Sequence, residues 1–116
     1  MRKTLSALLL VAASCSLLPG PVSGEDKGQA AIKETKAAMD KMHKQMTGMK
    51  MTGNPDQDFV MMMIPHHQGA VDMAQIELKY GTDPKLRKMA QTIVDSQKKE
   101  IAEMKAWQKA HPMKHH

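Results

Sequence analysis

Two proline-led helix starts constrain this chain more than any other feature. Asn54-Pro55 and Asp83-Pro84 each place a capping side chain directly before a proline. Proline suits the first turn of a helix, where its missing N–H has no intrahelical partner to lose. Gly48 and Gly53 close the stretch before the first start, and Gly81 closes the stretch before the second. The chain is thereby cut into three segments with three-four apolar spacing and no alternating strand pattern. The first runs from about Lys27 to Thr47, and its stripe Thr35, Met39, Met42, Met46, Met49 continues just past it. The second runs from Pro55 or Asp56 to Tyr80. Pro65 lies inside it and predicts a kink, because proline removes a backbone hydrogen bond. The third starts at Pro84, ends before Pro112 and carries the seam Leu86, Met89, Ala90, Ile93, Val94, Ile101, Met104. Short connections make consecutive helices antiparallel. The expected fold is all-α, a small antiparallel bundle of three main helices.

The first 24 residues read differently. Arg2 and Lys3 precede a mostly apolar run from Leu5 to Leu18, broken by Pro19-Gly20-Pro21 and followed by the small residues of Val22-Ser23-Gly24. The run is too short and interrupted to span a membrane and fits a signal peptide cut after Gly24. The expected organisation is a signal over 1–24, a helical domain over 25–110 and a flexible His/Met tail over 111–116. The mature chain is expected in the periplasm with no membrane span. Ala-Ala-Ser before Cys15 raises a lipid-anchored alternative, against which Leu17 and Leu18 continue the apolar run. Cys15 is the only cysteine, so the mature chain carries no thiol. Net charge falls from +5 to +3 once Arg2 and Lys3 leave. The lysines are scattered among acidic neighbours, which reads as a solvated surface and excludes a nucleic-acid partner.

Composition then matters in one respect. The chain has 13 Met and 6 His against one Phe, one Tyr and one Trp, an unusual way to fill a small core. The densest segment is Phe59-Val-Met-Met-Met-Ile-Pro-His-His-Gln-Gly-Ala-Val-Asp-Met-Ala74. Thioether sulfur and imidazole nitrogen suit soft and borderline transition metals, copper above all. They retain that affinity in an oxidising compartment without disulfide chemistry. The candidate ligands are Met63, His66, His67 and Met73 in the second segment, and Met39, Met42, His43 and Met46 in the first.

Adjacent helical residues point about 100° apart, so His66 and His67 are expected to face different neighbours, one towards each flanking helix. Folding the chain about the loop near Met51–Gly53 sets Met39 opposite His66 and Met42 opposite Met63. Folding it about Gly81–Asp83 sets Gln97 opposite His67, with Glu100 near enough to support the imidazole. Each feature has a plainer account. A lone histidine in an apolar seam is usually a packed residue, and methionine fills bundle cores readily. His43 within the stripe, and Met49 and Met51 running on into a Gly/Thr/Asn loop, favour ligands. The tail His111, Met113, His115, His116 is read as a solvated end, and Trp107 as a cover for the end of the bundle. An enzyme on this scaffold is disfavoured. A di-iron bundle needs Glu-x-x-His motifs, and no Glu here is followed three residues later by His.

The pattern Asp56, Phe59, Met63-Ile-Pro-His-His67, Ala70, Met73-Ala74 is followed by Leu86-Arg87, Met89-Ala90, Ile93, Gln97, Glu100-Ile101, Met104 and Trp107. With it the chain resembles the CopM-type copper metallochaperones, in a "domain of unknown function" family with a ferritin-like helical bundle. The resemblance covers about Asp56 to Trp107. It implies periplasmic copper binding and copper resistance, with Met63, His66, His67 and Met73 as the carried-over positions.

The resulting expectation is an exported, non-enzymatic protein that buffers or delivers copper. Cu(I) is preferred, with Ag(I) and Cu(II) as further candidates, and a periplasmic copper efflux or oxidase protein is the expected recipient. The alternative is a metal-free helical adaptor whose methionines form an adaptable partner surface.

Overall fold

The computed structural model describes residues 20, 21 and 23–113. Most of the expected signal segment, and His115 and His116 of the tail, lie outside the described residues. Three helices follow in order: α1, Gly24–Thr47; α2, Pro55–Tyr80; and α3, Pro84–Ala110. Among the described residues no helix is long and apolar enough to cross a membrane. The capping logic of the sequence accounts for the boundaries. Asn54 Oδ1 accepts the N–H groups of Asp56 (3.0 Å) and Gln57 (3.2 Å). Asp83 Oδ1 accepts that of Leu86 (2.9 Å). Ser23 caps α1 by accepting the N–H of Asp26 at 3.2 Å, so α1 starts three residues earlier than the periodicity indicated. At the other turn Arg87 Nη1 donates to the carbonyls of Leu78 (2.6 Å) and Gly81 (3.0 Å), satisfying acceptors that the end of α2 leaves free.

α1 and α3 both lie antiparallel against α2, and neither packs on the other. Lys41 pairs with Asp72 and Glu34 with Lys79 across the first interface. His67 meets Glu100, and Gln57 meets His111, across the second. The core belongs to the second. Val60, Val71 and Ala74 of α2 and Ala90, Val94 and Ile101 of α3 are buried, with Leu78 and Ile93 packed beside them. Burying a valine stabilises by roughly 1.5–3 kcal/mol, so α2 and α3 form the stable pair. α1 has no buried residue at all. Its attachment is polar. Glu34 accepts from Lys79 and from the Tyr80 hydroxyl (2.7 Å), which together hold its carboxyl below the usual carboxylate range. The same contacts, Glu34 foremost, raise the Lys79 ammonium.

α2 runs through Pro65 to Tyr80 as expected; Pro65 is buried, and it has no N–H to offer the Met61 carbonyl. One expectation needs correcting. In α3 the seam is narrower than its periodicity suggested: Leu86 and Met89 are 49% and 51% exposed, because α1 does not pack on α3 and covers neither. His111, the first residue of the expected tail, has its ring stacked on Trp107 with centroids 4.3 Å apart.

The loop between α1 and α2 sets the register. Asp58 is buried and gathers three donors: the Thr52 N–H (2.8 Å) and hydroxyl (2.7 Å) on Oδ1, and the Gly53 N–H (3.0 Å) on Oδ2. Gly53 sits at φ 83°, a conformation that glycine adopts freely. The loop is thereby laid back along the first turns of α2. Further along, Gly69 allows α1 to approach closely. A methyl group there would stand 2.5 Å from Met42 Sδ.

Asp58→Ala is expected to release the loop while leaving α2 and α3 folded, read as loss of hydrogen-exchange protection at the Thr52 and Gly53 amides. The Thr52 contacts, with help from Gly53, lower the Asp58 carboxyl from its ordinary value. The contact is therefore fully present above the unfolded-chain value near about 4. It is lost only as pH falls through the lower folded value, so protection at these amides should be flat from neutral pH down to that point.

Gly69→Ala adds helix propensity of up to about 1 kcal/mol but forces Met42 to move. The substitution is expected to stabilise more in a Met42→Ala background than in the parent. Equal effects in a chemical-denaturation double-mutant cycle would show that the two residues do not meet.

Candidate metal centre

The expected ligands are distributed over two faces of α2 and one edge of α1. His67 points into the α2–α3 interface. Its Nε2 lies 2.6 Å from Glu100 Oε2, and its side chain is only 17% exposed. Its Nδ1 is buried with no hydrogen-bonding partner. An ionised carboxylate can only accept, so Nε2 carries the proton. In the neutral ring the lone pair is then on Nδ1. A carboxylate holding the far side of an imidazole in this way is the usual support for a metal-binding histidine. A cavity of about 570 Å³ adjoins the pair, lined also by Phe59, Trp107, Met104 and the carboxylates Asp56 and Glu103.

His66 stands elsewhere. It is exposed, and its ring centroid is 6.4 Å from that of His67 with the planes tilted by 59°. The two imidazoles are therefore separate groups rather than a stacked pair. On a 3.6-residue helix, Phe59, Met62, His66 and Met73 fall on one stripe. That stripe is not the α1 interface of Gly69, Asp72 and Lys79, nor the core face of Val60, Ala74 and Leu78. Met73 is 47% exposed, and Met62 and Met63 are half-buried. On α1, Met42 and Met46 are half-buried, whereas Met39 is 52% exposed and His43 is exposed.

The register differs from the simple reflection of the sequence. Met42 lies against Gly69 rather than Met63. Taken with the Lys41–Asp72 contact, this sets Met46 at the level of His66 and Met39 at the level of Met73. There are two physical reasons. An extended loop advances about 3.3 Å per residue and a helix 1.5 Å, so the loop that Asp58 lays back consumes many helical residues of α2. Helical side chains also lean towards the N-terminus, which shifts antiparallel partners by part of a turn. The second effect explains why His67 meets Glu100 instead of Gln97. The expected residues thus meet different partners from those that the count of positions paired them with.

Among the described residues no three His, Asp or Glu side chains converge to hold an ion. An ion on this surface would draw its donors from imidazole together with thioether sulfur. Sequence reasoning named Glu100 as a support for His67 but missed the roles of Asp58 and Gly69. The spacing of Asp58 four residues after the cap Asn54 was the available signal for the first. For Gly69, a small residue opposite a methionine stripe was the signal.

The chain belongs to the family described as a domain of unknown function, DUF305, whose pattern it matches over residues 11–109. No curated protein matches it.

The tautomer argument is testable without metal. Nitrogen NMR of the histidine rings is expected to show His67 protonated at Nε2 alone. Glu100→Ala should convert it to a mixture of tautomers. A parent protein with the proton on Nδ1 would remove the argument.

Proposed function

We propose that this chain is an exported soft-metal carrier that binds copper, preferentially as Cu(I), and buffers or delivers it in the periplasm. Ag(I) would bind in the same manner, and Cu(II) would favour the imidazoles. The observation that carries this reading is the placement of the methionines. A core filler belongs inside, but Met39 and Met73 stand about half exposed at one level of the α1–α2 pair, with Met46 and His66 at the next. Thioether sulfur at a water-exposed edge gives little packing energy, yet it is accessible to an incoming ion. Met62 and Met63, one turn before His66, add further sulfur. His67, with its free Nδ1, offers a second and more enclosed nitrogen.

Delivery requires that the ion be held by ligands a recipient can replace. Exposed thioethers and imidazole meet that requirement, and an accepting copper efflux or oxidase protein is the proposed partner. No reaction is assigned to the chain. The adaptor reading has one observation in its favour. Ile32, Met39, Phe59, Met73, Leu86 and Met89 are large apolar side chains left open to solvent, and such surfaces bind proteins.

Competition against a chromogenic Cu(I) chelator separates the two readings. The reduced, folded protein is expected to take Cu(I) from the chelator and to prefer it to Zn(II). His66→Ala with His67→Ala should remove one class of site. Met39→Leu, Met46→Leu and Met73→Leu together should weaken Cu(I) binding while helicity stays near the parent's, since a Met-to-Leu swap usually costs less than about 1.5 kcal/mol. Failure of the parent to compete, with helicity intact, would leave the adaptor reading.

A further inference from the structure

The far end of the α2–α3 pair holds a second group of soft donors that the function above does not use. A cleft of about 240 Å³ is lined by Gln57 and Met61 from the start of α2, Gln108 from the end of α3, and His111 and Met113 beyond it. His111 is held in place through both its backbone and its ring. Its backbone N–H reaches the carbonyls of Trp107 (3.0 Å) and Gln108 (3.2 Å). Its own carbonyl accepts from Gln57 Nε2 at 2.9 Å. Its ring lies on the Trp107 indole, centroids 4.3 Å apart and planes 15° from parallel. Its Nδ1 is 2.9 Å from the Trp107 carbonyl oxygen.

The last contact fixes the chemistry. A carbonyl oxygen can only accept, so Nδ1 carries the proton. In the neutral ring the lone pair is then on Nε2, which has no hydrogen-bonding partner among the described residues. Met61 and Met113 bring two thioether sulfurs to the same cleft, and Met113 is half exposed. None of the five lining side chains is a carboxylate. A hard cation would find only amide oxygens here, whereas a soft monovalent d¹⁰ ion would find one imidazole nitrogen and two sulfurs. The imidazole is already oriented by the Trp107 carbonyl and the indole, so binding requires no rotamer search.

We propose that Met61, His111 and Met113 form a second soft-metal site, which takes Cu(I) or Ag(I) through His111 Nε2 and the two thioether sulfurs. The site stands apart from the His66 and His67 region and does not depend on it.

Trp107 is the only tryptophan of the chain, and its contact with the His111 ring makes it a built-in reporter. Ag(I), which needs no reductant, is the probe. Because Trp107 also lines the cavity beside His67, the titration with Ag(I) is made on the full chain carrying His66→Ala/His67→Ala, where a change in Trp107 emission is expected to remain. His111→Phe keeps an aromatic ring on the indole and removes the nitrogen. Met61→Leu/Met113→Leu keeps the volume and removes the sulfurs. Both are added to that background and retain His115 and His116, and in both the emission change should be lost and the bound Ag(I) by equilibrium dialysis should fall by one. Circular dichroism checks that each variant stays helical. An unchanged response in either variant, or a response that disappears with His66 and His67 instead, would overturn this site. Chelator competition for Cu(I) in His111→Phe tests the first region separately, and its success or failure there leaves the result at this end unaffected.

Discussion

Because α1 and α3 each pack only on α2, that one helix must present two interfaces at once, and its sequence divides accordingly. Val60, Ala74 and Leu78 meet α3 through apolar contact. Gly69, Asp72, Lys79 and Tyr80 meet α1 by close approach and by polar pairing. Two flanking helices that do not touch each other cannot enclose the whole circumference of the third. A stripe of α2 is therefore left to solvent, and that stripe carries His66 and Met73. The exposure of these two side chains is a consequence of the packing.

The difference between the interfaces has a dynamic counterpart. α3 is fixed by burial of aliphatic side chains, whose energy is insensitive to salt and pH. α1 has no buried residue and is held by ion pairs, a hydroxyl contact and the Met42 side chain over Gly69. Exposed ion pairs contribute little individually, commonly about 0–1 kcal/mol. α1 is accordingly the element that can shift at small energetic cost, and it brings Met39, Met42, His43 and Met46. On the proposed reading, sulfur donors on the more loosely held helix would adjust to an ion bound at the firmly held one.

The sequence made the element boundaries legible because they rest on local chemistry. Asn54, Asp83 and Gly81 act within a turn of their own positions, and each does what its residue type indicates. The register was not legible by counting residues. It depends on the path of the loop, which Asp58 decides through Thr52 and Gly53, and a count assigns every residue the same rise. The methionine stripe was legible as one face of a helix, although its division into a packed Met42 and an open Met39 follows from the position of α2. His111 is the clearest case of the converse. As part of a polar tail it reads as a frayed end, and only the reach of Gln57 across 54 positions reveals that it is anchored.

His67 and His111 solve the same problem in opposite senses. Glu100 holds His67 at Nε2, leaving Nδ1 free. The Trp107 carbonyl holds His111 at Nδ1, leaving Nε2 free. In each case a group that can only accept a hydrogen bond fixes the proton on one nitrogen and so commits the other as a donor atom towards metal. The two differ in their surroundings: Glu100 brings a charge, whereas the carbonyl is neutral. A cation bound at Nδ1 of His67 would be stabilised through the ring by a carboxylate, in the manner of a supported ligand. One bound at Nε2 of His111 would lack that support and rely more heavily on sulfur. On the proposed reading, the His67 position would tolerate the higher charge of Cu(II), and the His111 position would favour a monovalent ion.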